Sequence, residues 1–143
     1  ILVAKALAMP KTLTFIIATL LLFMSTYAYP HTDAAEAAAL EWLKAIDSGE
    51  FDQAWENSST LLQVPLSSHM LARTISAARR DFGAVESRRR VRAIRQTSMP
   101  GAPAGDYAVF TFQTRFENKP QITETITPHL EEGIWKVSGY YVN

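Results

Sequence analysis

The residues of this chain best equipped for chemistry are its arginines. Arg79, Arg80, Arg88, Arg89, Arg90, Arg92 and Arg95 fall within 17 residues, whereas residues 33–56 hold seven carboxylates and only Lys44. A row of guanidinium groups on one face of a strand can bind phosphate, anionic lipid or nucleic acid. Strict alternation puts Arg88, Arg90 and Arg92 on one face and Arg89 and Arg95 on the other. The competing reading is a solvated face whose charges pair with the acidic segment. No stacking aromatic is interleaved with the arginines, which counts against single-stranded nucleic acid.

Glu124 is the second candidate. It alternates in register with Ile122, Ile126 and Leu130, so it should point toward a core or pocket, where a carboxylate must be paired or carry a raised pKa. One reading makes it a general base in a cone-shaped pocket, helped by Tyr140 or Tyr107. The other makes it half of a salt bridge to an inward arginine of the first strand, such as Arg89, or to Arg115 if the next strand is bulged. No second acid or histidine is obviously placed beside it, which favours the bridge. Trp42, Trp55 and Trp135 could line a ligand pocket, although aromatics at such spacing also serve as core.

Other chemistries find less support. His31, His69 and His129 lack metal-ligand spacing, nothing resembles a nucleophile elbow, and the Gly101–Gly105 loop lacks the Lys-Ser/Thr of a phosphate loop. Asn57-Ser58-Ser59 matches a glycosylation acceptor only formally. There is no cysteine among the 143 residues, hence no disulfide or thiolate site. Neither a cofactor nor a metal is expected.

The elements that must position these residues follow from periodicity. Asp33 caps a helix with Ala35, Ala39, Trp42, Leu43 and Ile46 on one face. Asp47-Ser48-Gly49 ends it, and Phe51, Ala54 and Trp55 begin a second helix, making 33–58 a helical hairpin. Leu61–Leu66 reads as a connector interrupted by Pro65. Ser67 or Ser68 caps a third helix carrying Leu71, Ile75, Ala78 and Phe82, closed by Gly83.

Beyond Gly83 the period changes. Residues 85–97 are extended, 99–106 are turn chemistry, and Tyr107–Phe116 alternates as a half-buried strand. Ile122–Leu130 alternates likewise, with Pro128 near its end or at a bulge because it cannot donate to a ladder. Gly133–Val142 is the last strand. There Trp135, Val137 and Tyr141 are expected inward, with Ser138 and Tyr140 turned away unless Gly139 marks a bulge. The fold class is α+β: an N-terminal helical hairpin and a third helix packed on a curved four-stranded antiparallel meander.

Taken in order, Trp42-Leu43, Asp47-x-Gly49-x-Phe51 and Trp55, then Arg80-Asp81-Phe82-Gly83 with Ser87-Arg88, then Pro100-Gly101-Ala102-Pro103-x-Gly105-x-Tyr107, then Glu124 and Trp135-x-Val137-x-Gly139-Tyr140, resemble a family of small exported bacterial proteins known only as a domain of unknown function. The likeness spans 34–142. It implies an α+β fold similar to the cystatin-like or nuclear-transport-factor-two-like cone. It implies no established activity, so it transfers no catalytic residue. Where many members carry an aromatic early in the third helix, this chain has His69-Met70.

Residues 1–8 read as an over-extended frame and 9–28 as a signal peptide, with Lys11 before the apolar run Leu13–Met24 and Thr26-Tyr27-Ala28 at the cleavage site. That run is shorter than a spanning helix needs, so no integral membrane segment should remain after cleavage. A tether through an uncleaved signal is the alternative. Residues 29–143 then form one α+β domain. With Lys5 and Lys11 removed, about 12 basic residues face 14 acidic ones, and a net charge of about −2 gives no general affinity for nucleic acid. The chain is expected to be a periplasmic or secreted, non-catalytic binding or accessory module for a small-molecule or anionic ligand. The alternative is a small isomerase or hydrolase using Glu124. Candidate pocket residues are Glu124, Arg88, Arg89, Trp42, Trp55 and Tyr140.

Overall fold

The computed structural model describes residues 33–143. The expected leader, the residues upstream of it and the short lead-in 29–32 lie outside them. Asp33 accepts a hydrogen bond from the Ala35 amide and starts α1, Ala34–Asp47, which buries Ala35, Ala39, Trp42, Leu43, Ala45 and Ile46. Gly49, at φ +75°, turns the chain into α2, Phe51–Glu56. The expected connector contains a one-turn helix, α3, Thr60–Gln63, because the Ser59 hydroxyl caps it at the Leu61 amide and Pro65 follows. Ser67, rather than Ser68, caps α4, Ser68–Ala78. Phe82 lies past the end of that helix and packs its ring 4.9 Å from Phe116.

The strands β1 (Val85–Gln96), β2 (Tyr107–Phe116), β3 (Lys119–Glu131) and β4 (Ile134–Val142) form an antiparallel sheet in sequential order. The helices pack against one face of this curved, open sheet, as the sequence predicts. Phe110, Phe112, Ile126 and Val137 meet the buried stripes of α1 and α4 there. Ser58 ties the layers together. Its hydroxyl accepts from Trp42 Nε1 at 2.9 Å and donates to the Ala54 carbonyl at 2.7 Å. The Ser59 amide donates to the Val137 carbonyl, so the segment after α2 closes the β4 edge.

Two bulges decide which side chains face the helices. In β1 the pairing steps from Arg90↔Phe112 to Arg92↔Thr111, leaving Val91 unpaired. The expected sharing of one face by Arg88, Arg90 and Arg92 therefore fails: Arg88, Arg90 and Arg95 face inward, Arg89 and Arg92 outward. In β4 the pairing steps from Thr127↔Gly139 to Pro128↔Val137, leaving Ser138 as the extra residue. Pro128 has no amide hydrogen for the ladder, and the bulge opposite removes the need for one. Beyond it the alternation inverts. Tyr140 turns inward, while Tyr141, expected inside, is 57 % exposed.

The third helix was expected to close at Gly83, but α4 ends at Ala78 with Arg79 as its C-cap, and Gly83, at φ +75°, instead turns the chain toward β1, where a Cβ would sit 2.9 Å from the side chains of Glu117 and Asn118. Gly133, at φ +79°, has open space instead. Gly133→Ala should cost about 1 kcal/mol from left-handed strain alone, and Gly83→Ala at least about 2 kcal/mol. Urea midpoints check this; equal costs would show that the Gly83 turn relaxes freely.

Candidate functional site

Glu124 enters the sheet centre because Ile122 and Ile126 share its face, and its register partners are Phe112 and Val142. Its side chain is 0 % exposed. Four hydrogen-bonding groups would otherwise be stranded there. Instead Glu124 Oε1 accepts from Arg88 Nε at 2.7 Å and from the Thr114 hydroxyl, and Oε2 accepts from the Tyr140 hydroxyl at 2.5 Å. Among the described residues no buried side-chain nitrogen or oxygen lacks a partner.

The inward partner is Arg88, not Arg89 or Arg115. Arg88 pairs with Thr114 across β1 and β2 and so projects to the helix side, whereas Arg89 pairs with Gln113 and projects to solvent. The other end of Arg88 reaches Asp47, the last residue of α1, with Nη1 and Nη2 at 2.8 and 3.2 Å. Asp47 also accepts from Arg79 Nη2 at 2.7 Å, and that guanidinium lies 4.8 Å above the Phe116 ring. Burial works against the Arg88 charge, but the hydrogen bonds and charges of Asp47 and Glu124 outweigh it and raise its pKa. Burial, then the Glu124 charge and the hydrogen bond to it, raise the Tyr140 pKa, so its phenol stays protonated as a donor.

Trp42 is buried, with its ring 5.3 Å from Tyr140. Trp55 is half-buried and donates to the Leu66 carbonyl at 2.7 Å. Of the six sequence candidates the structure thus brings together Glu124, Arg88, Tyr140 and Trp42, and separates Arg89 and Trp55 from them. Asp47 and Thr114 belong to the network without having been singled out, and Arg79, which also belongs to it, was named only as one of the clustered arginines. Thr114 was legible as an inward position, but Asp47 read only as a helix terminus. For Tyr140 the available signal was Pro128.

Glu124 is apart from the main clefts among the described residues. One of them, about 880 Å³, opens at the far end of the sheet among Arg95, Gln96, Asp106, Tyr107, Leu130 and Trp135. Arg95 stacks 4.7 Å over Trp135 and pairs with both carboxylate oxygens of Asp33. Nearby, Glu131 ties β3 to α3: it accepts from the Thr60 amide and hydroxyl at 3.2 and 3.1 Å and meets His129 Nδ1 of its own strand at 3.0 Å. His129 stacks on Tyr107, whose hydroxyl donates to the Pro103 carbonyl. Burial pushes the Glu131 carboxyl up, but hydrogen bonds involving Ser59, His129 and Thr60 overcome this and hold it at about 2. Among the described residues no cluster of three or more His, Asp or Glu could hold a metal, and no helix is long and apolar enough to cross a membrane.

Removing Glu124 strands Arg88 beside the core. Glu124→Ala should cost about 3–5 kcal/mol, and Tyr140→Phe about 1.5–3 kcal/mol as a lost bond to a charged acceptor. Because Thr114 and Tyr140 share that acceptor, the Thr114→Val/Tyr140→Phe cycle should be non-additive; strict additivity in denaturant unfolding would contradict the shared network. Glu131 sets an acid limit. Its folded pKa is depressed from 4.5 to about 2, so its stabilisation is present above pH 4.5 and lost as pH falls toward 2. Glu131→Gln should flatten the stability profile across that window, and an unchanged slope would contradict it.

A family model described as "Protein of unknown function (DUF4019)" matches residues 38–140. No curated protein matches the chain. The matched span runs from within α1 to the Tyr140 of β4 and takes in every member of the buried network, Asp47, Arg79, Arg88, Thr114 and Glu124 included. The chain belongs to the DUF4019 family.

Proposed function

We propose that this chain is an exported, non-catalytic binding or accessory module. In this reading residues 9–28 are a signal peptide, 29–143 are the mature periplasmic or secreted domain, and the fold is of the cystatin-like or nuclear-transport-factor-two-like kind. The apolar run Leu13–Met24 behind Lys11 supports export. The observation that carries the non-catalytic reading is the enclosure of Glu124: Arg88, Thr114 and Tyr140 donate to its two oxygens, and the side chain has no exposed surface. A general base must come within hydrogen-bond reach of a substrate proton, and a carboxylate with no exposed surface gives a substrate no such approach. The cleft beside Trp135 and Asp106 is the natural place for a small ligand.

The inward turn of Tyr140 is the one observation favouring a small isomerase or hydrolase, since it places a proton donor on Glu124. The same contact holds Glu124 closed, and Arg88 neutralises it. Assays of ester, glycoside and keto–enol substrates should show no turnover that falls tenfold or more in Glu124→Gln while the variant remains folded. Turnover lost with that substitution would overturn the non-catalytic reading. Independently, expression of the full chain in a bacterium should yield a periplasmic species beginning near Tyr29 by intact mass. An unprocessed chain retained with the membrane would overturn the cleaved-signal reading.

A further inference from the structure

The clustered arginines divide by face, and the division has a consequence for binding. Arg79, Arg88, Arg90 and Arg95 end on carboxylates of α1 or its cap, Asp47, Glu36 and Asp33. Arg89 and Arg92 project from the opposite face of the sheet, where β2 adds Arg115. All three are exposed, and among the described residues none has a carboxylate within 4.0 Å. Arg89 pairs with Gln113 and Ser87 with Arg115, so Arg89 and Arg115 stand about 7 Å apart along the strands and about 5 Å across them. The neighbouring outward positions, Thr111, Gln113, Thr123 and Thr125, carry no charge. Glu86, the extra residue of the first irregularity in β1, and Glu117 border the patch, and Glu117 faces the Ala84 amide.

The helical segment 33–84 has the opposite sign: eight carboxylates, with Glu41, Glu50, Asp52 and Glu56 exposed, outnumber the four basic residues Lys44, Arg73, Arg79 and Arg80. The domain is therefore an electric dipole, sheet face positive. One exposed aromatic belongs to this face: Tyr141, 57 % exposed, which pairs outward with Thr125. The three arginines are spread over an open face beside a tyrosine, on two neighbouring strands, and suit an extended anionic surface.

We propose that the outward face of β1 and β2 docks on an anionic phospholipid bilayer through Arg89, Arg92 and Arg115, with Tyr141 meeting the headgroup region. This rests on the reading of the chain as a binding module and supplies its partner. The acidic helices point away from the surface and set the orientation. A nucleic acid is the poorer fit, because Tyr141 is the one exposed aromatic on this face and no others are interleaved with the arginines.

The test is co-sedimentation of the full chain with vesicles of phosphatidylglycerol and phosphatidylcholine against phosphatidylcholine alone, at low and physiological salt. Each arginine should contribute roughly fivefold in partitioning, and three on the order of a hundredfold. The preference for the anionic vesicles should vanish in Arg89→Gln/Arg92→Gln/Arg115→Gln, survive in the corresponding triple lysine variant, and weaken with salt. Arg89→Gln and Arg90→Gln change net charge equally, so only the former should lose the fivefold if the face, rather than total charge, binds. Melting temperatures confirm that each variant is folded. Equal binding to both vesicle types, an equal effect of the two single variants, or duplex DNA displacing the vesicles at equal charge would overturn the proposal. Turnover dependent on Glu124 would bear on the non-catalytic reading and leave this outcome unaffected.

Discussion

A carboxyl group with no exposed surface dictates much of this architecture. Glu124 needs donors on both oxygens, and three different strands supply them: Arg88 from β1, Thr114 from β2 and Tyr140 from β4. Arg88 must itself be balanced at its other end, so Asp47 is required where α1 finishes, and Arg79 joins at the end of α4. The chain of contacts fixes the register of four strands and the height of two helices with one set of polar bonds. Buried ion pairs of this kind add little net stability compared with a well-packed apolar replacement. Their effect here is selective: a one-residue slip of any contributing strand would turn its donor to the other face and leave Glu124 unsatisfied.

The same logic extends along α1 and β1. Asp33, Glu36 and Asp47 meet Arg95, Arg90 and Arg88 respectively, so the helix start lies by the strand end. The Arg90–Glu36 and Arg95–Asp33 pairs retain substantial side-chain exposure on the arginine, 45 and 52 %, and such pairs contribute little each. The Arg88 contacts are more sheltered, with 12 % of the side chain exposed. Orientation of the helix on the sheet therefore rests on its buried stripe and on Arg88, with the outer pairs adding register. Much of the acidic character of 33–56 and of the basic character of 79–95 belongs to the opposing sides of a single interface.

Alternation made β2 and β3 legible, because one residue in two is apolar there; Phe110, Phe112 and Phe116 could only face the core. It also placed Glu124 inward. The α1 stripe was equally plain. What periodicity could not show is where it breaks. β1 has almost no apolar residues to reveal its phase, so the bulge at Val91 was invisible, and with it the choice of Arg88 over Arg89. The helix Thr60–Gln63 is a single turn, too short for a period, and depends on the Ser59 cap. Pro128 was the exception. It marked a place where the ladder must lack a donor, and the answering irregularity lies in β4 at Ser138. The sequence allowed for such a bulge at Gly139, and it is the one at Ser138, beside it, that turns Tyr140 inward.

β1 also resolves a tension that an edge strand always poses. Twelve residues long and paired only with β2 among the described residues, it presents unmet backbone groups to any other strand. Two irregularities bend it, and guanidinium groups project from both of its faces. A second copy laid alongside would set arginine against arginine, so self-pairing is opposed by charge as well as by shape. β4, the opposite edge, is covered at Val137, where Ser58 bridges to it and the Ser59 amide donates to its carbonyl. The inward arginines are required by the carboxylates of Asp33, Glu36, Asp47 and Glu124. The outward ones answer to no carboxylate among the described residues. Edge protection alone accounts for Arg89 and Arg92, but Arg115 sits on an interior strand where no edge exists, and its alignment beside them is what a surface contact explains and edge protection does not.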